Sequence, residues 1–411
     1  RRSSDLSGHL KIVFYFYQAA EVLTVSSTDD LLHKIYFMSV IIAGFNFQFR
    51  MFKEKAGCPF VGLTAVTKEL MLSGTVFATM AEVFIIYWLH FGFNILRRKA
   101  VPSPQRYIAT IIEIMLLGYE RLAETSLKLL RCVPIGSENR LYLDGSVTCW
   151  QWWQYALLAY VIVFVVPFFF VLYFGSFKLY RGLVSTGEFL GACIMPLPFL
   201  IYWLIRHKMR PNTDSSLVRG KPENEPVLEV LQGPFRPPND DDSGTLYWES
   251  VLIGRRLILL ACRAFIEDAM LCSVLMAALC NVNLFHHLRK NPYHSTITNS
   301  TETVSLFALV IISLINIPKA TLISFSTSRH GPSIRYLQAM EWIEICSLLF
   351  FPLWFSLCVA LAIISQLFRF IAPTAIQIYR YLRRCHTTTW STIDMREPLM
   401  GTSYLDSDSD S

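Results

Sequence analysis

The feature that most constrains this chain is a set of long apolar runs without a charged residue. Residues 155–175 read "YALLAYVIVFVVPFFFVLYFG" and contain no Asp, Glu, Lys or Arg. A helix needs roughly 20 apolar residues to cross the hydrocarbon core of a bilayer. Residues 303–318 and 345–368 read in the same way, and only 17% of the chain is charged. We therefore predict an all-α polytopic membrane bundle of roughly eight to ten membrane segments.

The apolar runs and the polar stretches between them divide the chain into five parts. We predict 1–30 as an interfacial or first membrane segment, 31–207 as an amino-terminal helical membrane part, 208–246 as a cytoplasmic linker, 247–368 as a carboxy-terminal helical membrane part and 369–411 as a cytoplasmic tail. Residues 9–25 are apolar but short, and they contain Gln18 and Glu21. Both alternatives for the first part therefore remain open. Residues 31–51 are predicted to span.

Basic clusters give the predicted orientation, because Lys and Arg concentrate in cytoplasmic loops. The strong clusters are "RRK" at 97–99, "RHKMR" at 206–210, "HHLRK" at 286–290 and the three arginines Arg380, Arg383 and Arg384. Placing all four inside makes the linker and the tail cytoplasmic. Residues 188–205 must then begin and end on the cytoplasmic side. Either they re-enter the membrane around the prolines of "PLP" (196–198), or one weak segment does not span.

One predicted membrane helix carries charges along its whole length. Residues 244–270 read "GTLYWESVLIGRRLILLACRAFIEDAM". At 100° per residue, Glu249, Arg256, Arg263 and Glu267 fall within about 40° of one another. Arg255 points well away from this charged stripe. The stripe is expected to face something other than lipid.

A second helix, predicted over residues 106–130, offers a complementary acidic face. Glu113, Glu120 and Glu124 lie within about 40° of one another. A charge at the bilayer centre costs at least roughly 2.5–3.5 kcal/mol, so such charges usually pair or line water. We favour structural ion pairs between the helices or arginines that extend to the headgroups. The alternative is an ion- or proton-conducting path.

Two of the ten cysteines bracket a polar loop. Cys132 and Cys149 flank "VPIGSENRLYLDGSVT", whereas most of the others lie in apolar runs. A disulfide between them would require the loop to lie in an oxidising compartment. We predict this disulfide and, with it, an extracellular loop.

Motifs for catalysis, metals and nucleic acids are lacking in the sequence. Gly-rich phosphate loops, a G-x-S-x-G elbow and H-E-x-x-H are absent. His286 and His287 are adjacent, and we interpret them as a basic helix end. We therefore expect no enzyme activity, no cofactor, no metal and no nucleic-acid partner. Asn299 begins a glycosylation sequon in a loop that is predicted to be cytoplasmic, so we expect it to be unmodified.

The predicted cytoplasmic tail begins basic and ends in the acidic "DSDSDS". Its basic part suits the anionic lipid of the inner leaflet. Cys385 lies beside the arginines and is a candidate for palmitoylation. The serines at the end lie in acidic surroundings that suit phosphorylation.

Several motifs occur in an order that resembles a known type of membrane region. They are "HLKIVFYFYQ", "FNFQFRMFKEKAGC", "LKLLRCVPIGSENRLYLDGSVTCW", "PLPFLIYW", "VLEVLQGPFRPP", "LYWESVLIGRRLILL" and "NSTETVSLFALVIISLIN". The chain resembles the carboxy-terminal multi-pass region of large, mostly uncharacterised invertebrate cell-surface proteins with EGF-like, sushi or ephrin-receptor-like cysteine-rich repeats. A fainter likeness is to transient-receptor-potential-like membrane regions. The first resemblance implies extracellular domains ahead of Arg1.

Two functions follow from these patterns. In the first, the chain is the membrane anchor, and a possible signalling base, of an adhesion- or receptor-like protein at the plasma membrane. The linker segment "VLEVLQGPFRPP" would then dock a cytoplasmic protein. In the second, the chain is an ion channel or a transporter whose path is lined by the charged helices.

The orientation is testable with epitope tags placed in each loop and labelled on intact cells. We expect the linker and the tail to be reachable only after permeabilisation, and a tag within 133–148 to be labelled from outside. An externally labelled tail would contradict the whole topology. An internal 133–148 loop would contradict only the part before the linker.

Overall fold

The structure, a computed structural model, is an all-α bundle, which confirms the predicted fold class. It describes residues 2–23, 64–209, 225–238, 244–325, 335–361 and 364. The predicted span at 31–51, the tail and Cys385 lie outside these residues. The helices are α1 (Arg2–Leu23), α2 (Ala65–Leu96), α3 (Pro104–Leu130), α4 (Trp152–Tyr180), α5 (Thr186–Ile194), α6 (Pro196–Met209), α7 (Glu225–Gln232), α8 (Trp248–Phe265), α9 (Ala269–Lys290), α10 (Thr296–Phe325) and α11 (Arg335–Leu361).

Five of the described helices are long and apolar enough to cross a membrane. They are α2, α4, α9, α10 and α11. The helices α3 and α8 are not among them, because both carry charges along their length. The multi-pass membrane character rests on the five apolar helices, and the two charged helices pack against them and against α1.

Four helices run in the same direction. In each contacting pair of these helices, residue numbers increase in the same direction along both helices. The contacts Lys11–Glu249 and Val22–Arg263 join α1 to α8, and Glu120–Arg256 and Arg131–Arg263 join α3 to α8. The contacts His9–Thr298 and Leu23–Asn316 join α1 to α10. The helices α1, α3, α8 and α10 are therefore parallel.

The other long helices run in the opposite direction. In these pairs, residue numbers increase along one helix while they decrease along the other. The contacts Glu69–Arg121 and His90–Tyr107 join α2 to α3, and Gln154–Leu129 and Val165–Tyr119 join α4 to α3. Helix α11 contacts α10 through Glu344–Lys319 and α1 through Phe351–Phe16. Helix α9 runs back between α8 and α10. The end of the bundle that holds α7 is called the linker end below, and the end that holds Cys132 and Cys149 is called the disulfide end.

Helix α1 lies inside the bundle and not at its edge. Ile12, Phe16, Ala20 and Leu23 are almost completely buried, and so are the polar Lys11 and Gln18. Packing with α8 and α10 surrounds the helix. Gln18, one of the two polar residues that interrupt this segment, contacts α3 and α8.

Helices α5 and α6 form a short antiparallel hairpin that turns at Met195. Trp203 Nε1 near the end of α6 donates to Glu188 Oε1 in the first turn of α5 at 3.1 Å, and Arg206 lies 3.6 Å from the same carboxylate. Lys178, near the end of α4, lies over the Trp203 ring, which places the open end of the hairpin at the linker end. With nine residues, α5 rises about 14 Å. The α5–α6 hairpin thus begins and ends at the linker end of the bundle, which is the geometry that the re-entrant alternative requires.

The predicted linker contains a helix that packs into the bundle. Val227 and Leu231 of α7 are fully buried against α3 and α4. Gln232 Nε2 donates to the Ser176 carbonyl at 2.9 Å, and Lys11 Nζ donates to the Val230 carbonyl at 2.6 Å. The apolar side of "VLEVLQ" is therefore covered by the chain itself.

The disulfide Cys132–Cys149 is present, as predicted. It closes a loop that begins with an antiparallel hairpin, β1 (Cys132–Ile135) and β2 (Glu138–Leu141). Beyond β2, hydrogen bonds from the Ser146 hydroxyl and backbone N–H lower the pKa of Asp144. The loop connects the end of α3 to the start of α4, where Gln154 Nε2 of α4 donates to the Leu129 carbonyl of α3 at 3.0 Å.

The packing of α2 on α3 depends on a glycine. A Cβ at Gly118 would overlap both methyl groups of Val76, which is fully buried in the contact.

We expect Gly118→Ala to lower the free energy of unfolding by about 1–3 kcal/mol, measured by denaturant titration in detergent micelles. Adding Val76→Ala should restore much of the loss. Gly92→Ala, in open space on α2, is the control, and an equal loss there would contradict this packing.

Candidate functional site

The candidate site is a buried ionic network that follows α8 from the linker end to the disulfide end. Its first level is Glu249, which has no exposed surface. Lys11 Nζ lies 3.2 Å from Glu249 Oε2, and the Tyr15 hydroxyl donates to the other carboxylate oxygen. Both partners come from α1. The sequence placed Glu249 on an inward face but did not identify α1 as the helix opposite it.

The second level is Arg256, at the centre of the bundle. Its Nη1 donates to Gln18 Oε1 at 2.6 Å and lies 3.4 Å from Glu120 Oε2. The guanidinium carbon is 3.9 Å from the centre of the Tyr15 ring. Gln18 in turn donates to the Leu117 carbonyl at 3.1 Å, so one amide joins α1, α3 and α8. The structure thus brings together Arg256 and Glu120, which the sequence had placed on complementary faces.

The third level is Arg263, which contacts the backbone of α1. Its Nη1 donates to the Val22 carbonyl at 2.6 Å, near the end of α1. Glu267 does not continue the stripe. Helix α8 ends at Phe265, Asp268 caps the start of α9, and Glu267 is exposed between them. The prediction that Glu267 belongs to the stripe is therefore wrong, because α8 ends before this residue.

Arg255 lies on a different face of α8 from the stripe, as the sequence predicted. Its side chain is 9% exposed and pairs with Glu302 of α10, which is almost fully buried. The face of α8 that carries Arg255 is covered by α10, so α8 has protein on two sides. Lipid-facing positions remain at Ile258 and Phe265, which are exposed.

The acidic face of α3 divides into three different environments. Glu120 belongs to the Arg256 level. Glu124 accepts from Arg121 Nη1 at 3.0 Å and also pairs with Lys128 on its own helix. Arg121 reaches Glu69 of α2 at 2.9 Å, so this pair holds α2 against α3. No ion pair joins Glu113 to another described residue, and the predicted contact with α8 is not made there.

A further buried pair was not recognised in the sequence. Lys319 Nζ of α10 lies 3.0 Å from Glu344 Oε2 of α11, and neither side chain has exposed surface. The available signal was one Lys inside the apolar run "SLINIPKATLISF" and Glu344 directly before the apolar run that begins at Ile345. Such isolated charges of opposite sign in neighbouring membrane helices predict a pair.

The network encloses a small polar cavity between α1, α8, α9 and α10. Its volume is about 20 Å³, and its polar lining includes Arg255, Asn283, Glu302 and Ser305. A cavity of this size holds about one water molecule. The charged side chains around it are matched cation to anion and enclosed by protein. This arrangement can hold helices together.

The residues around the two histidines serve packing. His286 stacks on Trp248, and His287 is fully buried with its ring nitrogen 3.2 Å from the Asn299 carbonyl. The Asn299 amide both accepts from the Tyr293 N–H and donates to the Tyr293 carbonyl. Because of these two hydrogen bonds, Asn299 of the sequon fixes the turn between α9 and α10. Among the described residues, no group of three or more His, Cys, Asp or Glu side chains could hold a metal ion.

Comparison of the chain with protein-family models, with curated proteins and with solved structures finds no match in any of the three. The site is therefore interpreted from its own geometry.

Breaking either Arg255–Glu302 or Arg256–Glu120 should destabilise the bundle strongly. Removing one partner leaves a buried charge without compensation, and in soluble proteins this costs about 3–5 kcal/mol. We expect Arg255→Ala and Arg256→Ala to unfold at a lower temperature in detergent than the wild type, measured by thermal unfolding. We also expect both variants to reach the cell surface poorly, measured by surface labelling. Arg140→Ala, which breaks the partly exposed pair with Glu138 and two surface hydrogen bonds to loop carbonyls, is the control and should cost only about 1 kcal/mol. Equal behaviour of the three variants would contradict a structural role for the network.

Proposed function

We propose that the chain is the multi-pass membrane region of a large adhesion- or receptor-like protein of the plasma membrane, which it anchors. The observation that carries this proposal is the position of α1. Lys11, Gln18 and Val22 of this one helix contact all three levels of α8. A force applied ahead of α1 would therefore act on the whole bundle through several buried polar contacts.

The proposed orientation has the linker end in the cytoplasm. Three basic segments lie at this end: 97–99 follows the end of α2, Arg206 lies at the open end of the α5–α6 hairpin, and 286–290 ends α9. Lys and Arg concentrate on the cytoplasmic side of membrane proteins. The disulfide lies at the other end, which suits an oxidising exterior. Helix α5 is about half as long as the hydrocarbon core is thick, so the α5–α6 hairpin would re-enter from the cytoplasmic side.

Helix α7 connects this anchor to a signalling role. It touches α1 through the Val230 carbonyl and α4 through Gln232. A displacement of α1 would therefore reach a helix at the cytoplasmic end directly. A cytoplasmic protein partner would bind near this helix or on the tail, and extracellular domains would precede the chain.

Ion conduction or transport is the second candidate. It is favoured by one observation, namely that Glu249, Arg256 and Arg263 extend from one end of α8 to the other. Against it, Glu249 and Arg256 are nearly completely buried and contact acids, bases or amides of neighbouring helices. A charged residue that lines an aqueous path keeps contact with water, and these two do not.

The two candidates are distinguished by flux measurements on the purified chain in liposomes. We expect no selective Na⁺, K⁺, Cl⁻ or H⁺ flux above that of empty liposomes, because the charges are sealed by protein. A selective cation flux that is lost in Glu120→Gln together with Glu124→Gln, with the fold retained, would establish the channel and overturn the anchor.

The anchoring role itself is testable by pulling on the amino terminus of the bilayer-embedded chain with an atomic force microscope. We expect α1 to leave only together with loss of the whole bundle, in one high-force event. Gln18→Leu, which removes one hydrogen bond of α1 to α3 and one to α8, should release α1 as a separate event at lower force. Release of wild-type α1 alone at low force would contradict the anchoring role.

A further inference from the structure

Helix α2 is the least enclosed of the candidate membrane spans. Only 11% of its most apolar stretch is buried, the smallest share among the five. It packs on one side against α3, where Val76 meets Gly118 and Arg121 reaches Glu69. The opposite side carries large exposed apolar residues such as Ile86 and Leu89. Contact with lipid suits those apolar side chains, but it does not suit the carboxylate of Glu82.

Glu82 is a charged residue at the middle of this span. It is the only Asp, Glu, Lys or Arg between Leu70 and Leu96. With a rise of 1.5 Å per residue, it lies about 18 Å or more from either end of that stretch. The Glu side chain is shorter than that of Lys or Arg, which reach the headgroups from such helices. Glu82 therefore cannot leave the apolar layer while α2 spans it.

No partner within the described part of the chain accounts for Glu82. Its side chain is exposed, and no hydrogen bond or ion pair joins it to another described residue. The bundle treats its other charges differently, since Lys319 pairs with Glu344 and Arg255 pairs with Glu302. Ionisable residues within membrane helices are rare, and nearly all of them face a protein partner or water.

The residues around Glu82 leave room for another backbone. Gly74 and Ala78 precede it at four-residue intervals and so lie on the same side of α2. A Cβ at Gly74 would meet no atom within 4 Å, and Ala78 is exposed. Small residues at this spacing let two membrane helices approach closely. The large Phe77, Phe84 and Trp88 are exposed on a different flank.

We propose that the Gly74–Ala78–Glu82 face of α2 binds a membrane-spanning helix of another protein that carries a Lys or Arg near mid-membrane. The small residues admit the partner backbone, and the Glu82 carboxylate pairs with its cation. The described residues of a second copy of this chain do not offer that cation. Among the described residues, the exposed faces of the candidate spans carry no Lys or Arg away from the helix ends, and two Glu82 carboxylates repel each other.

The test uses the full chain, labelled with a donor fluorophore, in phosphatidylcholine vesicles. The probes are two acceptor-labelled synthetic leucine-rich helices, one with a single central Lys and one with Leu in its place. We expect the Lys helix to bind about tenfold more tightly than the Leu helix, as one polar contact in a membrane supports. Glu82→Leu should abolish the difference, and Glu82→Gln should retain part of it through hydrogen bonding.

A matched variant shows whether binding depends on the face of α2 that carries the carboxylate or only on the depth of the carboxylate in the membrane. In the double variant Glu82→Leu with Phe84→Glu, the carboxylate stays at nearly the same depth but turns by about 200° onto the aromatic flank. We expect little preference for the Lys helix there. Full recovery of the preference, an equal preference in Glu82→Leu alone, or no preference in the wild type would overturn the proposal. Self-association of two labelled copies that requires Glu82 and excludes the Lys helix would overturn it as well.

Discussion

The rest of this bundle depends on the burial of the Arg256 guanidinium among helices. An ion in an apolar interior is costly unless its geometry supplies opposite charge and hydrogen bonds. Arg256 obtains them from three helices, through Gln18, Glu120 and its own carbonyl at Leu252. Because each partner comes from a different element, α1, α3 and α8 can meet in only one register. The interaction therefore specifies an arrangement at least as much as it stabilises it.

The same requirement explains why α1 is central. Lys11 alone would be costly inside the bundle, and Glu249 alone would be equally costly. Together, 3.2 Å apart and with Tyr15 on the second oxygen, they form a compensated group. Charges of this kind cannot face lipid, so they draw amphipathic helices into the interior and leave the apolar helices α2, α4 and α9 at the periphery. The distribution of polar residues thus sorts the helices into inner and outer positions.

Much of this could be read from the sequence, and the failures have identifiable causes. Apolar runs and helical periodicity predicted the membrane bundle and an inward face with Arg256, and the polar loop between Cys132 and Cys149 predicted the disulfide. Periodicity describes one helix at a time, so it did not reveal that α10 covers a second face of α8 at Arg255. It also extended the stripe to Glu267, because the end of α8 depends on the Asp268 cap of α9. Helix α1 was hardest to place, since its polar residues suit an interface as well as a buried position.

Helix α1 also imposes an order on biogenesis. Lys11 and its partner Glu249 are separated by 238 residues. At about 5–20 residues per second, a ribosome needs on the order of 10–50 s to bridge that distance. During this interval α1 carries a cation without its acid, in a membrane that disfavours it. The helix must therefore wait at the aqueous boundary, or in the protection of the insertion machinery, until α8 has been synthesised. The first helix of the chain is thus among the last to reach its final position.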